Sequence, residues 1–282
     1  MVQLKPIDGT DVYLWKYLPS LPLASTFLAL FTILTSLLCW RMIKTRLWFC
    51  AVFAAGGLCQ VIGYSARILA YWHTDHIGPY VVQSMFILLA PVLYAASIYM
   101  VLGRLIRSVH GERFSVVQSK WMTKLFVLGD FLALNVQGNG AGLTTKQKTQ
   151  KAGQGIVVAG LFVQLMIFGF FIVVAAVWHL RMRRSLAKEQ RLRPDVPWKQ
   201  GLMMLYACSG LIIVRSIFRV VEYIMGTDGY PLTHEWTMYV FDAAPMWTVQ
   251  VIFFVWFPDQ LHTASEGSEG GHSLVESESV TR

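Results

Sequence analysis

Seven stretches of mostly apolar residues, roughly 21–40, 47–70, 80–106, 121–138, 154–180, 200–225 and 236–257, dominate this chain. Each approaches or exceeds the ~20 residues that a membrane-spanning helix needs. In lipid every backbone polar group must be satisfied within a helix or a closed barrel, and runs of this length satisfy it as helices. The expected fold is therefore all-α: a polytopic membrane bundle of seven transmembrane helices. Composition agrees, with 55 % hydrophobic and only 14 % charged residues, against about 25 % charged in an ordinary soluble domain. So few charges could not cover the surface of a soluble chain this long. That excludes a soluble enzyme, a disordered protein and a nucleic-acid-binding domain. The net charge of +8 is no sign of a nucleic-acid partner, because the basic residues sit in short clusters between the apolar runs.

The distribution of those clusters predicts the orientation. The connectors at 41–46, 107–120 and 181–199, with Arg282, hold fourteen of the 24 Lys and Arg; the opposite side holds five, and five lie within spans. The positive-inside rule then puts the amino terminus outside and the carboxyl terminus in the cytoplasm. Three regions are expected: a short extracellular segment over 1–18, the bundle over 19–258, and a disordered acidic cytoplasmic tail over 259–282. The first 18 residues lack a signal-peptide pattern, so the first span is expected to act as its own insertion signal. No GxxxxGK[ST] phosphate loop is present. All four cysteines, Cys39, Cys50, Cys59 and Cys208, fall in or beside apolar runs and read as buried small hydrophobes.

Ionisable groups inside spans are costly, and they usually face the bundle interior. Here they are Arg67 in the second span, Asp130 in the fourth, Arg215, Arg219 and Glu222 in the sixth, and Asp242 in the seventh, with Glu235 where the seventh begins. Three arginines against Asp130, Glu222 and Asp242 suggest mutual pairing. The 1.5 Å helical rise places Arg215 ~22 Å and Arg219 ~28 Å above the inner end of their span, and Asp242 ~9 Å below the outer end of its own. Arg67, Arg219, Glu222 and Asp242 thus share the outer half. Arg215, Arg219 and Glu222 lie on one helix face, as do Glu235, Tyr239, Asp242 and Met246. Gln83, Ala90, Ser97 and Arg104 recur every seven residues on the third span, and Asp130 and Gln137 are seven apart on the fourth. Asp130 has no basic neighbour one turn away, so its partner must come from another helix, water or a ligand. Pro91 and Pro245 each remove a backbone donor and free a carbonyl within a span.

The motifs Gly63-Tyr64-x-x-Arg67, Gln83-Ser84, Leu89-Ala90-Pro91, Ala95-Ala96-Ser97-x-Tyr99-Met100 and Gly160-Leu161-x-x-Gln164 belong together. So do Arg215-x-x-x-Arg219-x-x-Glu222-Tyr223, His234-Glu235-Trp236 and Tyr239-x-x-Asp242-Ala243. In this order, over about 12–260, the chain resembles the fungal RTA-like, or lipid-translocating exporter, family. The resemblance implies seven helices with an outside amino terminus and residence in a fungal plasma membrane or endomembrane. It also implies export or translocation of sphingoid long-chain bases, resistance to toxic amphiphiles, or, in one branch, porphyrin uptake. Relatives usually follow the fourth-span Asp and Gln with a run of glycines, where this chain reads Gln137-Gly138-Asn139-Gly140-Ala141-Gly142.

Three functions compete. A transporter of an amphiphile could pair an ammonium head with Asp242 or Glu222 while the tail stays among the helices, with Asp130 as a proton-coupling candidate. A seven-helix receptor or sensor shares the topology, but the third span ends Leu102-Gly103-Arg104 and the seventh lacks Asn-Pro-x-x-Tyr. An enzyme would need converging ligands or a protonated acid, whereas the seven histidines lie in connectors, in the tail or at span ends. The expectation is a transporter and not an enzyme, with no cofactor or metal. Its partners would be membrane lipids or amphiphilic small molecules. Arg67, Gln83, Asp130, Gln137, Arg215, Arg219, Glu222, Glu235, Tyr239 and Asp242 form the candidate site.

Overall fold

The computed structural model describes residues 20–72, 74, 76–109, 111–115, 119–144, 150–188, 198–226 and 229–257. Within them the regular structure is helical. Seven rods make the bundle: α1 Leu21–Thr45, α2 Ala51–Trp72, α3 Ile77–Ser108, α4 Ser119–Thr144, α5 Gln150–Lys188, α6 Trp198–Met225 and α7 Glu235–Val255. The termini expected as an extracellular segment and a disordered tail lie outside the described residues, apart from the junctions with the bundle. His73 and Asp228 also lie outside them.

Local signals set the rod ends. Pro22 opens α1, where its missing N–H is no loss. Arg46 closes α1 in the left-handed region at φ 55°, its N–H returning to the Ile43 and Met42 carbonyls. Gly226, at φ +71°, does the same for α6 without the steric cost that a side chain brings. A one-turn helix, Tyr230–Thr233, then leads into α7.

Six rods are long and apolar enough to cross a membrane by length and composition. The exception is α4, which carries Lys120, Lys124, Asp130, Asn135, Gln137 and Asn139 among its 26 residues. It packs between α3 and α5, and its closest neighbour is α5. A Cβ at Gly160 would lie 2.8 Å from Gln137 Cγ and 3.1 Å from the Ala133 carbonyl oxygen, so only glycine allows this approach. Small residues let helix backbones meet in lipid in this way. The outward faces of the rods are apolar: Ile33, Leu58, Met85, Phe131, Met166, Ile217 and Val240 are all exposed. In water such a surface would aggregate, whereas in lipid it is solvated. Trp40, Trp48, Trp121 and Trp256 are exposed near one end of the rods and Trp72 and Trp236 near the other, as in the aromatic belts of spanning helices.

Cross-rod bonds fix the relative directions. Arg41 near the end of α1 donates to the Phe254 carbonyl near the end of α7 at 2.6 Å, so these two rods run parallel. Gln154 at the start of α5 donates to the Tyr223 carbonyl at the end of α6 at 2.8 Å. The carboxyl ends of the first, third and fifth rods consequently gather at one end of the bundle. The carboxyl ends of α2 and α6 and the start of α7 gather at the other. The four cysteines are free thiols.

Candidate functional site

The buried charges are assembled by two interruptions of helical bonding. Pro91 in α3 cannot donate an N–H to the carbonyl four residues earlier, Ile87. Arg215 Nη2 of α6 donates to that carbonyl at 3.2 Å instead. In α7 the segment Tyr239–Ala243 is a π-turn that ends just before Pro245. Asp242 is inside this turn and points inward, 1 % exposed. π-turns of this kind are frequent at functional sites.

Asp242 joins two arginines of α6. Arg215 Nε donates to its Oδ1 and Arg219 Nη2 to its Oδ2. Arg219 Nη1 also donates to Glu222 Oε2 at 2.8 Å, one turn along the same helix. One turn nearer the start of α7, Arg67 of α2 reaches two groups among the described residues. Its Nη2 donates to Glu235 Oε1 at 2.7 Å and its Nε to the Tyr239 hydroxyl at 3.1 Å. Tyr239 in turn donates to Glu235 Oε1 at 3.1 Å. Glu235 further accepts the backbone N–H of Ser20, at 2.9 and 2.8 Å to its two oxygens, which ties the start of α1 to the cluster.

Among the described residues three arginines thus face three carboxylates, but the third carboxylate is Glu235. Asp130, counted in the balanced set from sequence, sits elsewhere. Each buried ion costs several kcal/mol of lost hydration, and only pairing and hydrogen bonding compensate for that. The ion pairs among the described residues meet that condition at the end of the bundle where Glu235, Arg219 and Glu222 keep slight exposure, 14 %, 12 % and 7 % of their side chains. An aromatic wall lines it. Phe27 stacks on Tyr239 at 5.3 Å between ring centres, Phe31 stacks on Tyr64 at 5.4 Å, and the Arg67 guanidinium lies over the Tyr239 ring at 5.5 Å. Cations favour such ring faces.

Four polar groups in this region have no hydrogen-bond partner among the described residues: the Ser20 hydroxyl, the Tyr64 hydroxyl, Gln83 Oε1 and Arg219 Nε. Gln83 of α3 is 6 % exposed, and no ion pair holds it. Tyr64, wholly buried and one turn from Arg67, joins the site although the sequence candidates do not include it. Its signal was present, since a tyrosine three residues before an intramembrane arginine shares that arginine's face.

The other candidates form a second series. Asp130 of α4 accepts the Tyr99 hydroxyl of α3 at its Oδ2, 2.7 Å away, so the expected partner from another helix is a tyrosine. Its Oδ1 has no partner among the described residues. Tyr99 lies twelve residues beyond Ile87, which puts this pair ~18 Å along α3 from the carbonyl that Arg215 holds. Phe126, Phe168 and Phe171 surround Tyr99. Gln137 Nε2 donates to Gln164 Oε1 of α5 at 2.8 Å. Arg104, on the same heptad series as Gln83, lies against the Phe49 ring at 4.1 Å near the basic end. Groups of three His, Cys, Asp or Glu able to hold a metal are absent among the described residues.

The comparisons with known proteins are consistent with this architecture. The family profile described as "RTA1 like protein" matches residues 53–265. In Saccharomyces cerevisiae, Protoporphyrin uptake protein 1 is 38 % identical over 72 % of this chain and 66 % of its own length. Protein RTA1 is 35 % identical over 73 % of this chain and 64 % of its own. The Sphingoid long-chain base transporter RSB1 is 27 % identical over 91 % of this chain and 76 % of its own. The match spans just under two thirds of the length of the first two relatives. No solved structure matches. Arg67, Arg215, Arg219, Glu222, Glu235 and Asp242 fall inside the matched segment, and the chain belongs to the RTA1-like family.

Proposed function

We propose that this protein moves an amphiphile across a membrane, its head group handled by the α2–α6–α7 charge network and its tail kept among the helices. The observation that carries the reading is the network itself: six paired charges, four of them buried and Arg219 and Glu235 partly so, in membrane-length helices at one end of the bundle. A purely structural bundle gains little from buried ion pairs, because well-packed apolar residues serve stability as well or better. An incoming ammonium can replace Arg219 at Glu222, because the displaced guanidinium keeps its second carboxylate, Asp242. Such an exchange lets a cationic head enter without stranding a bare buried charge. The tail never leaves an apolar medium, so only the head needs a polar route. Movement would be downhill or ion-coupled, and Asp130 would be the coupling candidate.

The positive-inside rule supports an extracytoplasmic position for the network, and the proposed residence is the plasma membrane or an endomembrane. The substrate class this favours is a long-chain amine such as a sphingoid base, in keeping with the name of the relative that covers 91 % of the chain. A second reading, carboxylate-bearing porphyrin, is favoured by Arg219 Nε, a buried donor without a partner among the described residues, and by the name of the 38 % identical relative.

The test uses purified protein in liposomes with a fluorescent sphingoid base added to one leaflet. Its transbilayer movement is recorded for wild type, Asp242→Asn and the charge-balanced double variant Arg215→Met with Asp242→Leu. Movement above protein-free liposomes, lost in the folded double variant, supports the reading. Acceleration of protoporphyrin alone selects the second reading, and acceleration of neither probe overturns both.

A further inference from the structure

The inward stripe of α7 continues past the charges. Glu235, Tyr239, Asp242 and Met246 are followed one turn later by Gln250, which is 0 % exposed. Eight residues separate Asp242 from Gln250, ~12 Å along the bundle, which places Gln250 well within a ~30 Å hydrocarbon core. There Gln250 Nε2 donates to the Tyr94 hydroxyl of α3 at 2.7 Å and to Thr35 Oγ1 of α1 at 3.3 Å. Four rods meet at this point, because α2 passes with Gly57. A Cβ at Gly57 would lie 2.5 Å from Thr35 Oγ1 and 2.7 Å from Gln250 Nε2. A glycine lets the polar groups press against the α2 backbone.

The node leaves acceptors over. Gln250 Oε1 has no partner among the described residues, and neither has Gln60 Oε1, one turn along α2 from Gly57 toward Tyr64. Gln60 is 1 % exposed. Leaving a buried polar atom unpaired costs about 1–3 kcal/mol, and the same space filled by leucine would avoid that cost. Two such atoms on facing helices, in line with the charge network, have the character of a binding site. They are neutral oxygen acceptors, so the ligand group they suit is a hydrogen-bond donor without negative charge. A carboxylate would set acceptor against acceptor.

We propose that Gln60, Gln250, Tyr94 and Thr35 form a second, uncharged station for the hydroxyl groups of an amphiphile head, about halfway along its route from the charge network. The proposal rests on the amphiphile reading above and adds a selectivity to it: hydroxylated head groups pass faster than bare amines of equal tail length.

Three probes of the same chain length separate the claims in liposomes: sphinganine (an amine with two hydroxyls), octadecylamine (the amine alone) and 1-O-octadecylglycerol (hydroxyls alone). Wild type is expected to move sphinganine about tenfold faster than octadecylamine. The variants Gln60→Leu and Gln250→Leu, and their combination, are expected to bring the two rates within about twofold by slowing sphinganine only. Thermal melts establish that the variants fold, and Gln60→Met with Gln250→Met substitutes if the leucines do not. A wild-type preference that survives in the variants marks the node as structural or merely hydrated and overturns the proposal. So does the absence of any preference. If wild type moves neither amine, the charge-network reading has failed and the station is judged on saturable binding of octadecylglycerol. Binding lost in the glutamine variants supports it; binding unchanged in them, or none in wild type, overturns it.

Discussion

Removing the Asp242 charge, as in Asp242→Asn, should do more damage than any other single charge removal in this protein. The carboxylate accepts from both Arg215 and Arg219 and is 1 % exposed. Without its charge the network holds three arginines against two carboxylates. Breaking a buried pair by removing one partner costs about 3–5 kcal/mol, because the other charge stays buried. For a domain of this size that corresponds to a melting shift on the order of 10 °C. Glu222→Gln should cost less, about 1–3 kcal/mol, because Arg219 keeps Asp242. The informative variant is Arg215→Met with Asp242→Leu. It leaves Arg219 with Glu222 and Arg67 with Glu235, two balanced pairs. Its remaining cost is the Ile87 carbonyl, which loses Arg215 and has no helical donor opposite Pro91; about 1–3 kcal/mol is expected. The double variant should therefore melt above Asp242→Asn. The assay is intrinsic tryptophan fluorescence during heating in nanodiscs. A double variant that melts at or below the single would refute the reasoning, since it would mean that the network is not held together by charge balance.

Other perturbations reach the rest of the bundle. Tyr99→Phe leaves Asp130 without its hydroxyl and should lower stability by about 1–3 kcal/mol, with most of the loss gone in an Asp130→Leu background; the same melts measure both. Gly160→Ala forces a methyl against Gln137 Cγ and the Ala133 carbonyl, which should separate α4 from α5 at a cost of about 1–3 kcal/mol, whereas Gly169→Ala, with nothing within 4 Å, should be neutral or slightly stabilising. Glu235→Gln should free the start of α1, read as faster hydrogen exchange at Ser20 than in wild type.

Much of the site was legible because an ionisable group in a spanning helix has few alternatives. The i, i+4, i+7 spacing of Arg215, Arg219 and Glu222 and the stripe through Asp242 required these residues to face inward, and depth counting brought Arg67 to the same end. Which carboxylate faces which arginine was not legible. Asp130 and Glu235 are both single acids near apolar runs; the packing order of the rods, not their periodicity, sends one to Tyr99 and the other to Arg67. The Ile87 carbonyl was half legible, since Pro91 frees it in any helix but only the fold brings Arg215 to it. Gln60 and Gln250 are illegible in the sequence for a different reason. A neutral amide in a long apolar run carries no charge cost to mark it, and only the convergence of four rods reveals that its oxygen is unpaired.

The π-turn permits a sharper question about cause. Pro245 cannot donate to the carbonyl four residues back, Phe241, and the turn Tyr239–Ala243 lies immediately before it. Either the proline imposes the turn, or the two arginines draw Asp242 into it and the proline merely tolerates the result. Pro245→Ala separates these. An alanine restores the missing donor, so regular α-helical bonding regains a hydrogen bond and some propensity. If the proline holds the turn, regular helix will compete with it and rotate Asp242 away from Arg215 and Arg219. Pro245→Ala should then destabilise the wild-type network by about 1–3 kcal/mol. In the Arg215→Met, Asp242→Leu background no charge depends on the turn, and the same substitution should be neutral or stabilising. That difference between backgrounds is a coupling energy, and melts of the four proteins measure it. Equal effects in both backgrounds would show that the turn persists without the proline and that the arginines hold Asp242 in place by themselves.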